Sequence, residues 1–428
     1  MTLEHGLAWL DRHINLEATA GRIEGLSLER MRRLVSVLGD PQDAFPVIHV
    51  TGTNGKGSTA RMITALLAEA GLSVGTYASP HLQRINERIS RNGDAIDDDE
   101  FALLLADLER LEPLVGVENS YFELVTAAAL RWFADIAVDV GVIEVGLLGR
   151  FDATNVCDAT IAIITNVGYD HTDGQGDWRA RIAEEKSGIV KPSSTLVLGE
   201  TDPSLSSIFY AAGAEQILER ERDFDCEANE LAIGGRLLAL RTPSARYEDV
   251  YLSLHGAHQG DNAAVALTAA EAFFASPFSE EVVAEALGSV SMPGRFEIAG
   301  REPLIVLDGA HSPEAAACIA ATLADDFARG GRTVVVVGMM SPRDPSSVLE
   351  ALEVNDETVV VACRPQSPRA IPPEDVADAA EALGARVIVE PDVAAAIDRA
   401  KALAEPIDTI LITGSLYVVG EARSYLLG

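Results

Sequence analysis

Residues 49–58 read His-Val-Thr-Gly-Thr-Asn-Gly-Lys-Gly-Ser, between an apolar strand expected over Pro46–Val50 and an apolar-periodic helix expected over Thr59–Ala70. That layout is a phosphate trap. Glycines at 52, 55 and 57 let backbone N–H groups turn inward without Cβ clashes, and Lys56 supplies a point charge for β- and γ-phosphates. The helix N-terminus adds the positive end of its dipole. Thr53, Asn54, Gly55, Lys56, Gly57 and Ser58 are therefore the phosphate-binding candidates. The run departs from ordinary P-loop spacing: Val50 stands where the first glycine is expected, and Gly57 separates Lys56 from Ser58. A glycine-rich turn without a ligand is the plainer reading, but it leaves the agreement of loop and flanks unexplained.

Composition narrows the classes. At 428 residues, two domains are the natural expectation. A hydrophobic content of 48% with 23% charged residues describes an ordinary globular chain. No apolar run approaches bilayer length, and Glu4, Asp11 and Arg12 interrupt the N-terminus where a signal peptide is apolar, so a cytoplasmic protein is expected. Cys157, Cys226, Cys318 and Cys363 are far apart, with no paired spacing for zinc or redox chemistry. A net charge of −33 argues against a nucleic-acid or anionic-membrane partner. Lysine occurs only at 56, 186, 191 and 401, so two of the four falling in candidate catalytic segments is informative.

The chain reads as alternating β and α. Helices are expected over Leu3–Ile14, Ser27–Leu38, Glu100–Leu111, Phe122–Ala137 and Arg179–Ile189, and buried strands over Ser73–Ala78, Val138–Val145, Thr160–Val167 and Thr195–Gly199. Residues 215–254 give strand-like pieces with Gly234-Gly235 as a turn, then a helix from Asp261 to about Ala275. Met292-Pro293-Gly294 breaks the pattern, and βα units follow with strands at Leu304–Leu307, Thr333–Val337, Thr358–Ala362, Arg386–Val389 and Thr409–Ile412. The expectation is an α/β protein. Residues 1–291 form a P-loop-type, mostly parallel sheet domain with helices on both faces, 292–296 a linker, and 297–428 a smaller Rossmann-like domain without a dinucleotide fingerprint.

Read alone, Glu144 is an acid at the carboxyl end of a strand beside the phosphate loop, where a Mg²⁺ ligand belongs; a strand-end acid facing water is the alternative. His171 sits similarly in Thr-Asn-Val-Gly-Tyr-Asp-His, though a lone histidine is more often structural. Lys186, in Ile-Ala-Glu-Glu-Lys-Ser-Gly-Ile, reads by spacing as a partner of Glu184 or Glu185 on a solvated face.

Gly-Thr-Asn-Gly-Lys-Gly-Ser, Leu148-Gly149-Arg150-Phe151-Asp152-Ala153-Thr154-Asn155, His258-Gln259-Gly260-Asp261-Asn262 and Asp308-Gly309-Ala310-His311-Ser312-Pro313 follow one another in the order of the Mur ligase superfamily, and the chain resembles its folate branch, the dihydrofolate synthases and folylpolyglutamate synthases. The resemblance runs over nearly the whole chain. It departs where the family's Gly-Gly-Arg is Leu148-Gly149-Arg150 and where its Asp-Gly-Ala-His-Asn-Pro has Ser312.

The resemblance implies ATP as co-substrate, held by residues 53–58, Gln259, Asn262, Arg295, Asp308 and His311. It implies two Mg²⁺ sites served by Ser58, Ser79, Glu144, His171 and a carbamylated Lys186, since only the carbamate turns a lysine into an anionic oxygen ligand. Ser79, Pro80, His81, Arg84, Phe122, Glu123 and Asp152 are the implied folate-binding residues, although a basic surface loop or one face of an amphipathic helix would explain several of them. Lys56, Lys186, His171 and Arg295 are the implied catalytic group.

The implied reaction joins L-glutamate to 7,8-dihydropteroate and to reduced folates in a cytoplasmic monomer. A Mur-type ligase building cell-wall peptide is the first rival, but only 51 residues precede Gly52, too few for the nucleotide-sugar domain such enzymes carry there. A regulatory nucleotide-binding protein is the second; it would not need Glu144, His171 and Lys186 together.

Overall fold

The computed structural model describes residues 2–15, 27–169, 176–327 and 330–428. The chain divides into two compact units, Met1–His81 with Ile85–Ser253 and Gln259–Val290, and Leu82–Arg84 with Leu254–His258 and Ser291–Gly428.

The first unit is built on eight strands: β1 Val47–Thr51, β2 Val74–Tyr77, β3 Ile89–Arg91, β4 Asp94–Ala95, β5 Val140–Glu144, β6 Ala159–Ile164, β7 Thr195–Leu198 and β8 Gln216–Glu219. Their order is β4-β3-β2-β5-β1-β6-β7-β8. From β2 to β8 every pairing is parallel; β3 and β4 add an antiparallel edge. Asn92-Gly93, with φ of 51° and 90°, makes the β3–β4 turn that its sequence announces. Every residue of β1, β2 and β5 is buried, so both faces of the sheet are covered, as continuous apolar runs in a parallel sheet require. β1 lies at the centre and feeds the glycine loop directly into the helix Lys56–Glu69. To the same unit belong the antiparallel strands β9 Asp225–Ala232, β10 Gly235–Arg241 and β11 Arg246–Leu252. Their first turn falls at Ile233-Gly234 rather than Gly234-Gly235, because Gly235 already pairs with Ala232.

Gly75 on β2 and Gly141 on β5 are register partners, and aromatic rings fill the room they leave. A Cβ on Gly141 would lie 2.6 Å from the Phe45 ring, and one on Gly75 2.6 Å from the Phe133 ring. The two rings meet edge to face at 5.9 Å. Gly141→Ala is expected to destabilise the protein by about 1–3 kcal/mol through overpacking, read as a lower urea midpoint at unchanged slope.

The second unit has six strands, β12 Glu297–Arg301, β13 Leu304–Leu307, β14 Thr333–Val337, β15 Val359–Ala362, β16 Arg386–Val389 and β17 Thr409–Thr413, in the order β12-β13-β17-β14-β15-β16. All pairings but β12–β13 are parallel. The five parallel strands are those expected from sequence. The antiparallel edge β12 and, in the first unit, the helix Glu280–Ser289 were not. The helix carries a readable signal, Ser279, whose hydroxyl accepts from the Val282 amide. Among the described residues no helix is long and apolar enough to cross a membrane.

Candidate active site

The phosphate loop is shaped from within and braced from β6. Gly55 has φ of 80°, open to glycine and strained for any side chain, and a Cβ there would lie 2.4 Å from Asn262 Oδ1. Asn262, buried in the first turn of the helix His258–Phe274, donates to Gln259 Oε1 at 3.0 Å. The sequence-predicted pair is thus packed against the loop. Lys56 Nζ donates to Gly52 O at 2.9 Å and Thr53 O at 3.2 Å, holding its ammonium inside the loop. Ser58 is buried one turn in.

Thr165 and Asn166, just past β6, were not foreseen as site residues. Thr165 Oγ1 donates to Asn54 O at 2.6 Å, Asn166 Nδ2 donates to the same carbonyl at 3.1 Å, and the Asn54 amide donates to Asn166 Oδ1 at 2.9 Å. Their signal is a Thr-Asn pair at a strand's carboxyl end, like Thr53-Asn54 in the phosphate loop. His171 lies outside the described residues.

Glu144 ends β5 directly across from Val50, buried beside the loop, and its Oε2 accepts from the Ser79 amide at 3.3 Å. The water-facing alternative for this acid does not hold. Arg61, on the loop helix, is a third residue missed by sequence: burial pushes its guanidinium down while Glu87 and Glu144 pull it up. Lys186 is 0% exposed at the end of the helix Trp178–Ser187, so the reading as a solvated-face ion pair is wrong. Arg150 stands by Glu185, at 3.9 Å.

Residues implied for folate divide by what they touch. Phe122 packs on Gly146, two residues past Glu144, where a Cβ would lie 2.4 Å from the ring. Glu123 closes a capping box, accepting from the Ser120 amide at 2.7 Å, and pairs with Arg30 at 3.2 Å. His81 Nδ1 accepts from Arg88 Nε at 2.9 Å, and the Arg88 guanidinium lies 5.8 Å from the Tyr121 ring centroid. Ser79 and Pro80 precede it in the first unit, whereas Arg84 falls in the second and is exposed. Asp152 is buried; its carboxylate accepts from the Leu147 amide at 2.8 Å and the Thr154 amide at 3.0 Å. Burial pushes its carboxyl up against the pull of these bonds. Leu148, where the family pattern has glycine, keeps φ of 56°, at a cost of about 1–2 kcal/mol. The helix expected from Asp261 begins at His258, and Asp261 pairs with Arg220 at 3.0 Å.

His49, fully buried on β1, is pushed down to about 3 by burial and by Lys191. A folded-state value below the ordinary 6.5 means stability that is whole above pH 6.5 and lost as pH falls towards 3, where only the unfolded chain takes the proton. The loss runs to about 1.4 kcal/mol per pH unit. The difference in unfolding free energy between His49→Gln and wild type is expected to narrow over that window, as urea titrations at stepped pH will show.

In the second unit Asp308, past β13, accepts from the Phe296 amide and the Ala310 amide, each at 2.8 Å. Burial pushes it up; the Arg295 guanidinium pulls it back. His311 Nδ1 lies 2.9 Å from Gly309 O, and Ser312 caps the helix opened by Pro313.

The Mur ligase middle domain family matches residues 50–270, and the glutamate ligase domain family of Mur ligases matches residues 294–416. The chain is 36% identical over 438 residues to the dihydrofolate synthase/folylpolyglutamate synthase of Mycobacterium tuberculosis, covering 93% of this chain and 89% of the relative.

The chain belongs to the dihydrofolate synthase/folylpolyglutamate synthase family of Mur ligases.

It is 38% identical over 409 residues to a "Probable bifunctional folylpolyglutamate synthase/dihydropteroate synthase" of Haloferax volcanii, matching 92% of this chain but spanning about half, 48%, of that relative. Solved structures of this family superpose over the full length. M. tuberculosis folylpolyglutamate synthase complexed with ADP gives a TM-score of 0.91 at 36% identity, covering 100% of this chain and 98% of that one. Escherichia coli FolC in complex with DHPP and ADP gives 0.88 at 30%, covering 99% and 97%. The Yersinia pestis bifunctional folylpolyglutamate synthase/dihydrofolate synthase complexed with AMPPNP and Mn gives 0.85 at 30%, covering 100% and 98%.

A divalent ion fits the residues of this Mur ligase chain. Glu144, Ser58 and Ser79 are hard oxygen donors. Among the described residues no three His, Cys, Asp or Glu side chains gather into a cage. Mg²⁺ prefers such oxygen donors and keeps waters and substrate phosphates in its shell.

Proposed function

We propose that this chain is the ATP-dependent ligase that joins L-glutamate to 7,8-dihydropteroate, giving dihydrofolate, and to reduced folates, giving polyglutamates. The observation that carries the reading is the phosphate loop on β1 with buried Glu144 on the adjoining strand end, in a chain similar to this family along its whole length.

A carboxylate is a poor acyl donor because its leaving group would be oxide. Attack of the substrate carboxylate on the γ-phosphate of ATP gives an acyl phosphate and ADP; the α-amine of glutamate then displaces phosphate and forms the amide. The protein's work is positioning and neutralising charge. Gly55 and its neighbours turn amides toward the phosphates, Lys56 supplies a cation to the β- and γ-oxygens, and Thr165 and Asn166 keep the loop in shape. Two Mg²⁺ ions, at Ser58, Ser79, Glu144, His171 and Lys186, would screen the phosphate oxygens. For Lys186 to serve, its neutral amine adds to CO₂, forming an N-carboxylate and releasing a proton. Arg295, Asp308 and His311, with Gln259 and Asn262, are proposed nucleotide contacts, and Ser79, Pro80, His81, Arg84, Phe122, Glu123 and Asp152 are proposed to form or frame the folate site. Residues 1–291 are taken as the ATP-binding part and 297–428 as the ligase part of a cytoplasmic monomer, the mass of which light scattering will give.

The test is phosphate release with ATP and glutamate, comparing dihydropteroate, tetrahydrofolate and a muramyl-peptide nucleotide. Release with the first two supports the reading. Release with the third alone, or turnover indifferent to pteroate and glutamate, overturns it.

A further inference from the structure

β1 does more than carry the phosphate loop. Two of its side chains hold the segment Leu147–Asn155 that follows β5: Thr51 Oγ1 donates to Leu148 O at 2.5 Å, and His49 Nε2 lies 2.8 Å from Thr154 Oγ1. The polarity of the second contact is fixed by counting hydrogens. Thr154 has one hydroxyl hydrogen, and it goes to Asp152 Oδ1 at 2.5 Å. Its oxygen therefore accepts from His49, which must be the Nε2–H tautomer. His49 Nδ1 is buried with no hydrogen-bond partner among the described residues, as a neutral ring in that tautomer leaves it. Among the described residues Asp152 in turn accepts from the Thr154 hydroxyl and amide on Oδ1 and the Leu147 amide on Oδ2, with the Gly146 amide beside them, a set complementary to a carboxylate.

The other side of the same segment is fastened to the helix that bears Lys186. The Arg150 amide donates to Glu185 O at 2.8 Å, and Asn155 Nδ2 donates to Gly188 O at 3.0 Å. The approach is close: a Cβ on Gly149 would lie 2.7 Å from Glu185 O and 3.1 Å from Lys186 Cα. The segment thus ties the phosphate-loop strand to the end of the Lys186 helix, and β5, which ends on Glu144, leads into it.

We propose that His49 is a positioning residue of the ligase: as a neutral donor it orders Thr154 and Asp152, and through the Leu147–Asn155 segment it sets Glu144 and Lys186 against the phosphate loop. The inference rests on the function proposed above. His49 touches no substrate; its effect is carried through two hydrogen bonds and a clamped backbone. A histidine that merely fills the core would act on stability alone.

Three variants test it in the full-length enzyme. His49→Leu keeps bulk and removes the donor, His49→Gln offers an amide N–H in place of Nε2–H, and Thr154→Val breaks the chain one step on with His49 intact. Losses of this indirect kind run about 10–100-fold. His49→Leu and Thr154→Val are expected to lower kcat by that factor and raise the Mg²⁺ concentration needed for half activity. Affinity for a fluorescent ATP analogue without metal should stay within about twofold, because the loop's own bonds remain. His49→Gln should recover most of the lost rate, and the double variant His49→Leu/Thr154→Val should be no slower than the worse single one. Equal rates for Leu and Gln, additive losses, or an analogue affinity that falls as far as kcat would overturn the proposal. If His49→Leu does not fold, Thr154→Val against Thr154→Ser reads the same link, with Ser expected to keep activity. A wild type that releases no phosphate with either pteroate or folate sinks the ligase reading and this inference together; an active wild type matched by His49→Leu sinks the inference alone.

Discussion

Lys56→Ala is expected to release phosphate from ATP at least about 10³-fold more slowly than wild type, with dihydropteroate and with tetrahydrofolate alike. Lys56 Nζ rests on the carbonyls of Gly52 and Thr53, so the ammonium is held inside the loop before any nucleotide arrives. A charge fixed in place needs little reorganisation when negative charge shifts toward the β–γ bridging oxygen, and alanine offers nothing in its stead. Lys56→Arg should fail nearly as badly, because a planar guanidinium cannot occupy a seat shaped for a point charge. The fold should tolerate the change: the side chain is partly exposed, and its contacts are two carbonyls within its own loop. Phosphate release and thermal melting of the same preparation separate the two effects. A variant that keeps more than about a tenth of the wild-type rate would show that the loop does not act as a phosphate cradle.

What the sequence disclosed follows from how each feature is encoded. β1, β5 and β6 are short apolar runs buried on every residue or nearly so, and a run of that kind announces a central parallel strand without help from its neighbours. The glycine loop was legible for the same reason: turn, charge and helix start are consecutive. Features assembled from distant positions were not. Thr165 and Asn166 brace Asn54 across more than a hundred residues, and nothing local to either pair predicts that they meet. The relay from His49 through Thr154 to Asp152 is of this kind, and so is the placing of Arg61 between Glu87 and Glu144. Glu123 is a different case. Ser120-Tyr121-Phe122-Glu123 is a capping-box signature, and the side chain does close that box; the signal was present and a substrate role was set beside it from resemblance. Lys186 shows the limit of spacing arguments most clearly. Two glutamates next to it suggest a surface ion pair, whereas packing of Gly149 and the segment around it leaves the lysine wholly enclosed.

That enclosure sets the second large expectation. Lys186→Ala should lower the rate of phosphate release by about 10³-fold, and a small carboxylate such as acetate should restore at least about tenfold of it. An ammonium among the metal ligands proposed above would repel Mg²⁺. A carbamate would remove that difficulty, since it turns carboxylate oxygens, sharing one negative charge, toward a cation from the same four-carbon stem. Truncation to alanine empties the room occupied by that stem, and a carboxylate entering it supplies the oxygens directly. The sign of the rescue is what decides. If Lys186 works as a cation, ethylammonium should restore activity and acetate should not; if it works as a carbamate, the reverse holds. Wild type gives an independent reading, because stripping CO₂ and bicarbonate from the buffer should lower its rate and adding bicarbonate should bring it back, while Lys186→Ala with acetate should ignore both. Rescue by the amine, or a wild-type rate indifferent to bicarbonate after prolonged degassing, would remove the carbamate and leave Glu144 and the serines as the ligands around which the metal chemistry has to be rebuilt.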